Sequence, residues 1–261
     1  MRYTGRVSKR AIWIISAGIV IGGLAYWGLG VSSPKASVQT KTPSTKTVST
    51  KPTDTFSKTQ FSTTDPTSLW VIVNKQHPLQ PATYAPSDLR YPNVTLRVPG
   101  QTEMQMRDPA ATALEKMFAG AEAAGYKLQV STAYRGYSYQ KTLYDGYVAS
   151  AGQAAADQES ARPGYSEHQT GLAFDVEPLD QSCDVDTCFA DTAAGRWVAL
   201  HAYEYGFLLR YPHDKTSVTG YDYEPWHLRY IGKPLALELH RLHIETLEEF
   251  FGLSAAPHYA H

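Results

Sequence analysis

The chain has 261 residues, with 24 Lys or Arg against 25 Asp or Glu, a formal net charge of −1. The distribution is uneven: residues 1–60 hold nine Lys or Arg and a single acid, Asp54, which leaves 15 basic and 24 acidic residues in the remainder. An acidic folded part argues against nucleic acid as the main partner, because phosphate binding needs a basic face on the folded domain.

Residues 1–10 carry Arg2, Arg6, Lys9 and Arg10, and from Ala11 to Val31 the chain runs 21 residues without a charge. As a helix that run is about 31 Å long, the thickness of a hydrocarbon core. It reads as a membrane span or an unusually long signal peptide, and its length favours an uncleaved anchor. The basic flank is expected to stay in the cytoplasm and the bulk of the chain to lie outside the cell membrane. Residues 32–66 are dominated by Ser, Thr, Lys and Pro. Such a composition cannot bury enough surface to offset its ordering entropy and predicts a disordered linker. Folded sequence is expected over 67–261.

The apolar run Leu69–Lys75 predicts a short strand, and the proline-spaced stretch from His77 to Leu89 predicts an extended surface segment. Asp108-Pro109 reads as an N-cap followed by an N1 proline, and Leu114, Met117, Phe118 and Ala121 recur at helical spacing, so a helix is expected over 109–124. A strand follows at 126–132, then a second helix beginning at Gly136 to Ser138. A third helix is expected at about 191–205, and a fourth after Pro234 carrying Leu235, Leu239, Leu242 and Leu247. Short strands are expected at 172–176, 207–210 and 226–231. Clustered short strands with helices around them imply an α+β domain built on a small, largely antiparallel sheet. Cys183 and Cys188 are the two cysteines of the chain. They lack metal-site spacing and predict a disulfide clipping an acidic loop, as an oxidising exterior permits.

The stretch from Pro163 to Val176 is the most informative. Leu172, Phe174 and Val176 alternate with Ala173 and Asp175, so a strand here turns three apolar side chains to the core and Asp175 to the other face. Gly171 permits a sharp turn before that strand, which can bring His168 beside Asp175. In the second stretch, Tyr223 to Tyr230, Trp226, Leu228 and Tyr230 share one strand face and His227 and Arg229 the other. His168, Asp175 and His227 would form a two-His, one-carboxylate zinc site with a position left for water, the pattern of a catalytic zinc. Glu224, just before the Pro225 turn, is placed to act as general base without binding the metal. His240 and His243 have no third ligand and are expected to face solvent. Tyr137, Tyr165 and Trp226 are candidate pocket walls.

With these residues in view, the sequence resembles the VanY-like D-alanyl-D-alanine carboxypeptidases, zinc peptidases that share a fold with D-Ala-D-Ala dipeptidases and the Hedgehog signalling domain. The likeness rests on SxHxxGxAxD at Ser166 to Asp175 and ExxH at Glu224 to His227. It extends to VNKxxPLxPxxYxPxDL at Val73 to Leu89 and to Tyr134, Arg135 and Gln140. The resemblance implies one zinc ion per chain on His168, Asp175 and His227, with Glu224 as base. It also implies a substrate-binding set of Arg135, Ser166 and Gln140, in which Arg135 takes the free carboxylate of a terminal D-alanine. A guanidinium suits that task because it meets a carboxylate with two parallel hydrogen bonds.

The expected activity is hydrolysis of the terminal D-Ala-D-Ala bond of peptidoglycan stem peptides. An L,D-carboxypeptidase acting on tetrapeptide stems is the main alternative, followed by an endopeptidase or dipeptidase and by a non-catalytic, zinc-stabilised wall-binding module. No Ser-x-x-Lys motif accompanies Ser166, which argues against a serine mechanism.

Overall fold

The computed structural model describes residues 56–260. The expected cytoplasmic segment, the span at 11–31 and most of the linker lie outside the described residues, among which no helix is long and apolar enough to cross a membrane. Packed structure begins before the expected boundary at 67. Phe56 stacks on Trp70 at 5.6 Å and Phe61 meets the same ring edge-on at 5.0 Å. Two aromatic side chains in a polar stretch thus fasten its end to the domain.

The first elements are a two-residue pair, β1 (Leu89–Arg90) and β2 (Met106–Arg107), and helix α1 (Asp108–Ala123). Arg107 is the helix cap and Asp108 the first helical residue, one position earlier than the sequence reading. Next come β3 (Leu128–Thr132), α2 (Tyr137–Ala151), α3 (Gln153–Glu159), β4 (Ala173–Pro178) and α4 (Ala193–His201). The chain continues with β5 (Phe207–Tyr211), α5 (Thr216–Thr219), β6 (Glu224–Tyr230), α6 (Lys233–Leu242) and α7 (Leu247–Phe251). The main sheet has the order β3-β4-β6-β5 and every neighbouring pair is antiparallel. The α+β expectation therefore holds for the described residues.

One face of this sheet is apolar. Val130, Phe174, Val176 and Leu228 join Leu114, Met117 and Ala121 of α1 and Val198 of α4 in a buried cluster. Each fully buried side chain of the larger kind contributes about 1.5–3 kcal/mol. The opposite face carries Asp175, Glu177, His227 and Arg229, all buried as well. Period-two alternation separates the two sets along each strand.

Three expected elements differ. Leu69–Lys75 joins no sheet, although Trp70 to Lys75 are buried and Leu69 partly so. Two of its carbonyls are met by a side chain instead: the Arg229 guanidinium donates to Leu69 O at 3.1 Å and Val71 O at 2.7 Å. The third helix is shortened, with 3₁₀ turns at Thr187–Asp191 and Ala202–Tyr205 on either side of α4. The fourth is split, because His243 ends α6 in the left-handed region at φ 55 and Thr246 caps α7 by accepting from Glu249 N. Leu247 consequently belongs to α7.

Candidate active site

Sheet register makes the first contact. Asp175 of β4 and His227 of β6 are directly paired, next to the core-facing pair Phe174 and Leu228. Residues opposite one another on antiparallel strands point to the same face, so this pairing alone sets a carboxylate beside an imidazole. His227 Nδ1 lies 3.2 Å from Asp175 Oδ1.

His168 arrives from the 3₁₀ turn Glu167–Thr170, which ends on Gly171 at φ 67. A Cβ at Gly171 would come within 2.9 Å of the side chains of Arg107 and Leu89, so both backbone conformation and space require glycine. The turn sets His168 Nε2 3.5 Å from Asp175 Oδ2. Its Nδ1 donates to the Ala133 carbonyl at 2.6 Å, which fixes the tautomer and leaves Nε2 as a lone pair. Ligand atoms of His168, Asp175 and His227 all lie within 4.8 Å of one another.

Electrostatics distinguish the two imidazoles. Burial, reinforced by the Arg135 charge, pushes His168 down to about 4, so it is neutral and ready to ligate. Burial opposes charge on His227 too, but Asp175 and Glu167 prevail and raise it to about 9. Burial likewise acts against Asp175, yet the two imidazoles hold its carboxyl well below the usual range. The buried atoms His168 Nε2 and Asp175 Oδ1 have no hydrogen-bond partner. Buried acceptors that converge without a hydrogen-bond donor are costly unless a cation satisfies them. Two imidazoles and a carboxylate are zinc-type donors, and the residues present fit that metal.

Glu224 opens β6, with its carboxylate 3.7 Å from His227 Nδ1. Burial pushes it up to about 7 against the pull of His227. It lies in a cavity of about 150 Å³ lined also by Arg135, Ser166, His168, Asp175 and His227. Larger hollows of about 460 and 850 Å³ lie elsewhere on the surface, so chemistry rather than size marks this one. Arg135 is held beside the ligands by its backbone N–H, which donates to the His168 carbonyl at 3.2 Å, and its Nε has no partner.

Two expectations change. Gln140, assigned to substrate binding, is fully buried outside the cavity lining, and its Nε2 donates to Ser160 Oγ at 3.0 Å and Ala161 O at 2.7 Å. It pins the 160–161 wall from behind, because a helix-borne amide meets that turn before it can reach the cavity. The aromatic walls are Tyr147, Tyr211 and Tyr221 rather than Tyr137, Tyr165 and Trp226. Tyr165 packs edge-on against Tyr259 at 5.1 Å, and Trp226 packs on the apolar core. His240 and His243 are exposed, as expected.

The sequence reading missed Glu167. Its Oε1 accepts from Arg210 Nε and Arg229 Nη1, both at 2.9 Å, and its Oε2 lies 3.5 Å from His227 Nε2. Arg210 also donates to Glu248 at 2.6 and 3.0 Å, and Glu248 accepts from Asn74 at 2.8 Å. Glu167, Arg210, Arg229, Glu248 and Asn74 are all 0–1% exposed. One signal was available: Arg229 shares a strand face with His227, and a buried guanidinium requires a buried acid.

Residues 103–233 match the model of a family described as VanY, D-alanyl-D-alanine carboxypeptidase. Among curated proteins, YodJ of Bacillus subtilis (strain 168), provisionally named a carboxypeptidase, is 42% identical over 188 residues, 72% of this chain and 68% of its own length. Among solved structures, the LdcB LD-carboxypeptidase is 42% identical with a TM-score of 0.69, covering 72% of this chain and 88% of that one. The vancomycin-resistance D,D-pentapeptidase VanY from a VanB-type cassette, solved as a mutant in complex with Zn(II), is 29% identical with a TM-score of 0.57, covering 69% and 97%.

Proposed function

The chain belongs to the VanY family of D-alanyl-D-alanine carboxypeptidases, and from that premise we propose that it is a zinc carboxypeptidase removing the C-terminal D-alanine of peptidoglycan stem peptides. The observation that carries this reading is the convergence of His168, Asp175 and His227 within 4.8 Å, in one cavity with Glu224 and Arg135. On this reading those three side chains hold a single zinc ion, which when bound supplies a Lewis acid and lowers the pKa of a water molecule.

The other groups act on substrate. Glu224, poised near neutrality by burial, takes the proton of the attacking water and returns it to the departing amine. Arg135 receives the terminal carboxylate in a charge-assisted contact, with the buried Ser166 hydroxyl beside it. The tyrosines of the wall exclude bulk water and strengthen both interactions.

The family description favours the D-alanyl-D-alanine bond of a pentapeptide. A second reading, the L,D bond of a tetrapeptide, is favoured by the greater likeness to LdcB, 0.69 against 0.57 in TM-score. The proposal extends to location: a single-pass anchor at 11–31 would hold the peptidase outside the cell membrane, and the Cys183–Cys188 bridge suits that oxidising side.

The test is incubation of the zinc-loaded protein with penta- and tetrapeptide stems, each with a free or amidated C-terminus, and identification of products by mass. Release of one D-alanine from a free stem is expected, and the faster substrate decides the bond. Amidation should cost about 2 kcal/mol, roughly 30-fold in rate, through loss of the hydrogen bonds to the charged end. Equal cutting of free and amidated stems would replace the carboxypeptidase reading with an endopeptidase one.

A further inference from the structure

The loop between β4 and α4 runs from Pro178 to Ala193. It carries the Cys183–Cys188 disulfide, with Cα atoms 5.9 Å apart. Cys183 is buried in the apolar core and Cys188 is exposed, so the bridge ties a surface loop to the interior. Asp184, next along, places its carboxylate 2.6 Å from the Arg97 guanidinium, which also lies 3.0 Å from the buried Glu177 of β4. Asp186 caps the following 3₁₀ turn by accepting from Cys188 N. Both neighbours of Val185 are therefore held, and the bridge closes around all three.

Val185 adopts φ 43. A β-branched residue enters the left-handed region only at a cost of order 1–3 kcal/mol, and such a conformation persists where the surroundings impose it. Its side chain is half-buried and lines the same cavity as Arg135, Glu224 and the three candidate ligands. Asp184 and Asp186 flank it but are absent from that lining. The strained conformation thus delivers one apolar side chain into the cavity and keeps two carboxylates out of it. The cavity is small, about 150 Å³. With a terminal carboxylate on Arg135, the Val185 side chain takes part of the space left for the departing residue.

We propose that Val185 is a specificity-determining residue, the wall that limits the size of the side chain on the departing C-terminal residue, and that the disulfide loop exists to hold it there. This inference rests on the carboxypeptidase reading and adds a residue and a selection rule to it. The rule is steric exclusion, so relaxing the wall should admit larger residues without improving the reaction on alanine.

The experiment compares kcat/KM of the zinc-loaded full chain on stems ending in D-alanine, D-valine and D-leucine. Val185→Gly removes the wall and suits the positive φ; the ratio of D-leucine to D-alanine cleavage should rise at least about tenfold, as for other apolar pockets changed by a few methylenes. Val185→Phe should lower cleavage of D-valine stems relative to D-alanine. Cys183→Ser with Cys188→Ser should shift the ratio in the same direction as the glycine variant, by a smaller factor. Val185→Gly should also unfold at an equal or higher denaturant midpoint, since the backbone penalty is relieved. Ratios unchanged within about twofold in both Val185 variants would overturn the assignment, as would a change that follows the residue before the scissile bond. Failure of the unmodified protein on every stem would instead sink the carboxypeptidase reading itself, so the two failures are distinguishable.

Discussion

Two clusters of buried charge lie back to back on the polar face of the sheet, and they are satisfied in opposite ways. In the rear cluster, Arg210 and Arg229 direct their guanidinium nitrogens at Glu167, Glu248 and backbone carbonyls. In the front cluster, His168 Nε2 and Asp175 Oδ1 have no hydrogen-bond partner. The burial is equivalent, since His168, Asp175 and His227 are only 2–4% exposed. Charge buried and paired is architecture; polar atoms buried and left open mark a place kept for a ligand. Glu167 belongs to both, with one oxygen in the paired network and the other facing His227.

The comparison breaks most readily in the rear cluster. Arg210→Met strands Glu167 and Glu248 as buried anions without their shared partner. The expected loss is about 3–5 kcal/mol of stability, read as a lower midpoint in chemical denaturation. A midpoint equal to that of the unmodified protein would show that the network is not what holds this face together.

A smaller effect of a different kind is expected in front. Glu224→Ala should lower the turnover of stem peptides by roughly a hundredfold or more, about 2.7 kcal/mol, while elemental analysis finds zinc retained. Stability should change little, because the relief of burying the Glu224 carboxyl offsets the lost attraction to His227. Loss of metal in this variant would make Glu224 a ligand and reassign Asp175.

The bridge between the clusters should give the smallest change. Glu167→Gln leaves Arg210 and Arg229 an oxygen to donate to, but replaces the carboxylate facing His227 with an uncharged amide. Zinc affinity measured by chelator competition should weaken about 10- to 100-fold, the usual effect of altering a group behind a ligating histidine. Unchanged affinity with reduced stability would confine Glu167 to the rear cluster.

The front cluster was legible in the sequence and the rear one was not, for a physical reason. Alternation along β4 and β6 assigns Asp175 and His227 to faces using only near neighbours, and Gly171 marks the turn that brings in His168. Glu167 gains its meaning from Arg210 and Arg229, 43 and 62 positions away. No local periodicity encodes such a partnership. Leu69–Lys75 has the composition of a strand, but its hydrogen-bonding partner is the end of a side chain, which alternation cannot anticipate. Leu235 and Leu239 of α6 and Leu247 of α7 lie in one buried cluster across the break, so their apolar spacing continues through it, whereas Leu242 is exposed.

The rear cluster also reaches beyond the family's shared segment. That segment spans residues 103–233, yet the network behind the candidate ligands is completed by Asn74 on one side of it and Glu248 on the other. The two margins meet behind the candidate ligands, and Arg229 additionally needs the carbonyls of Leu69 and Val71. An expression boundary drawn at the shared segment would leave two guanidinium groups in the interior short of their acceptors. The portion that carries the chemistry is thus folded by the portions that do not, and any transplant of this site into another scaffold has to bring both flanks with it.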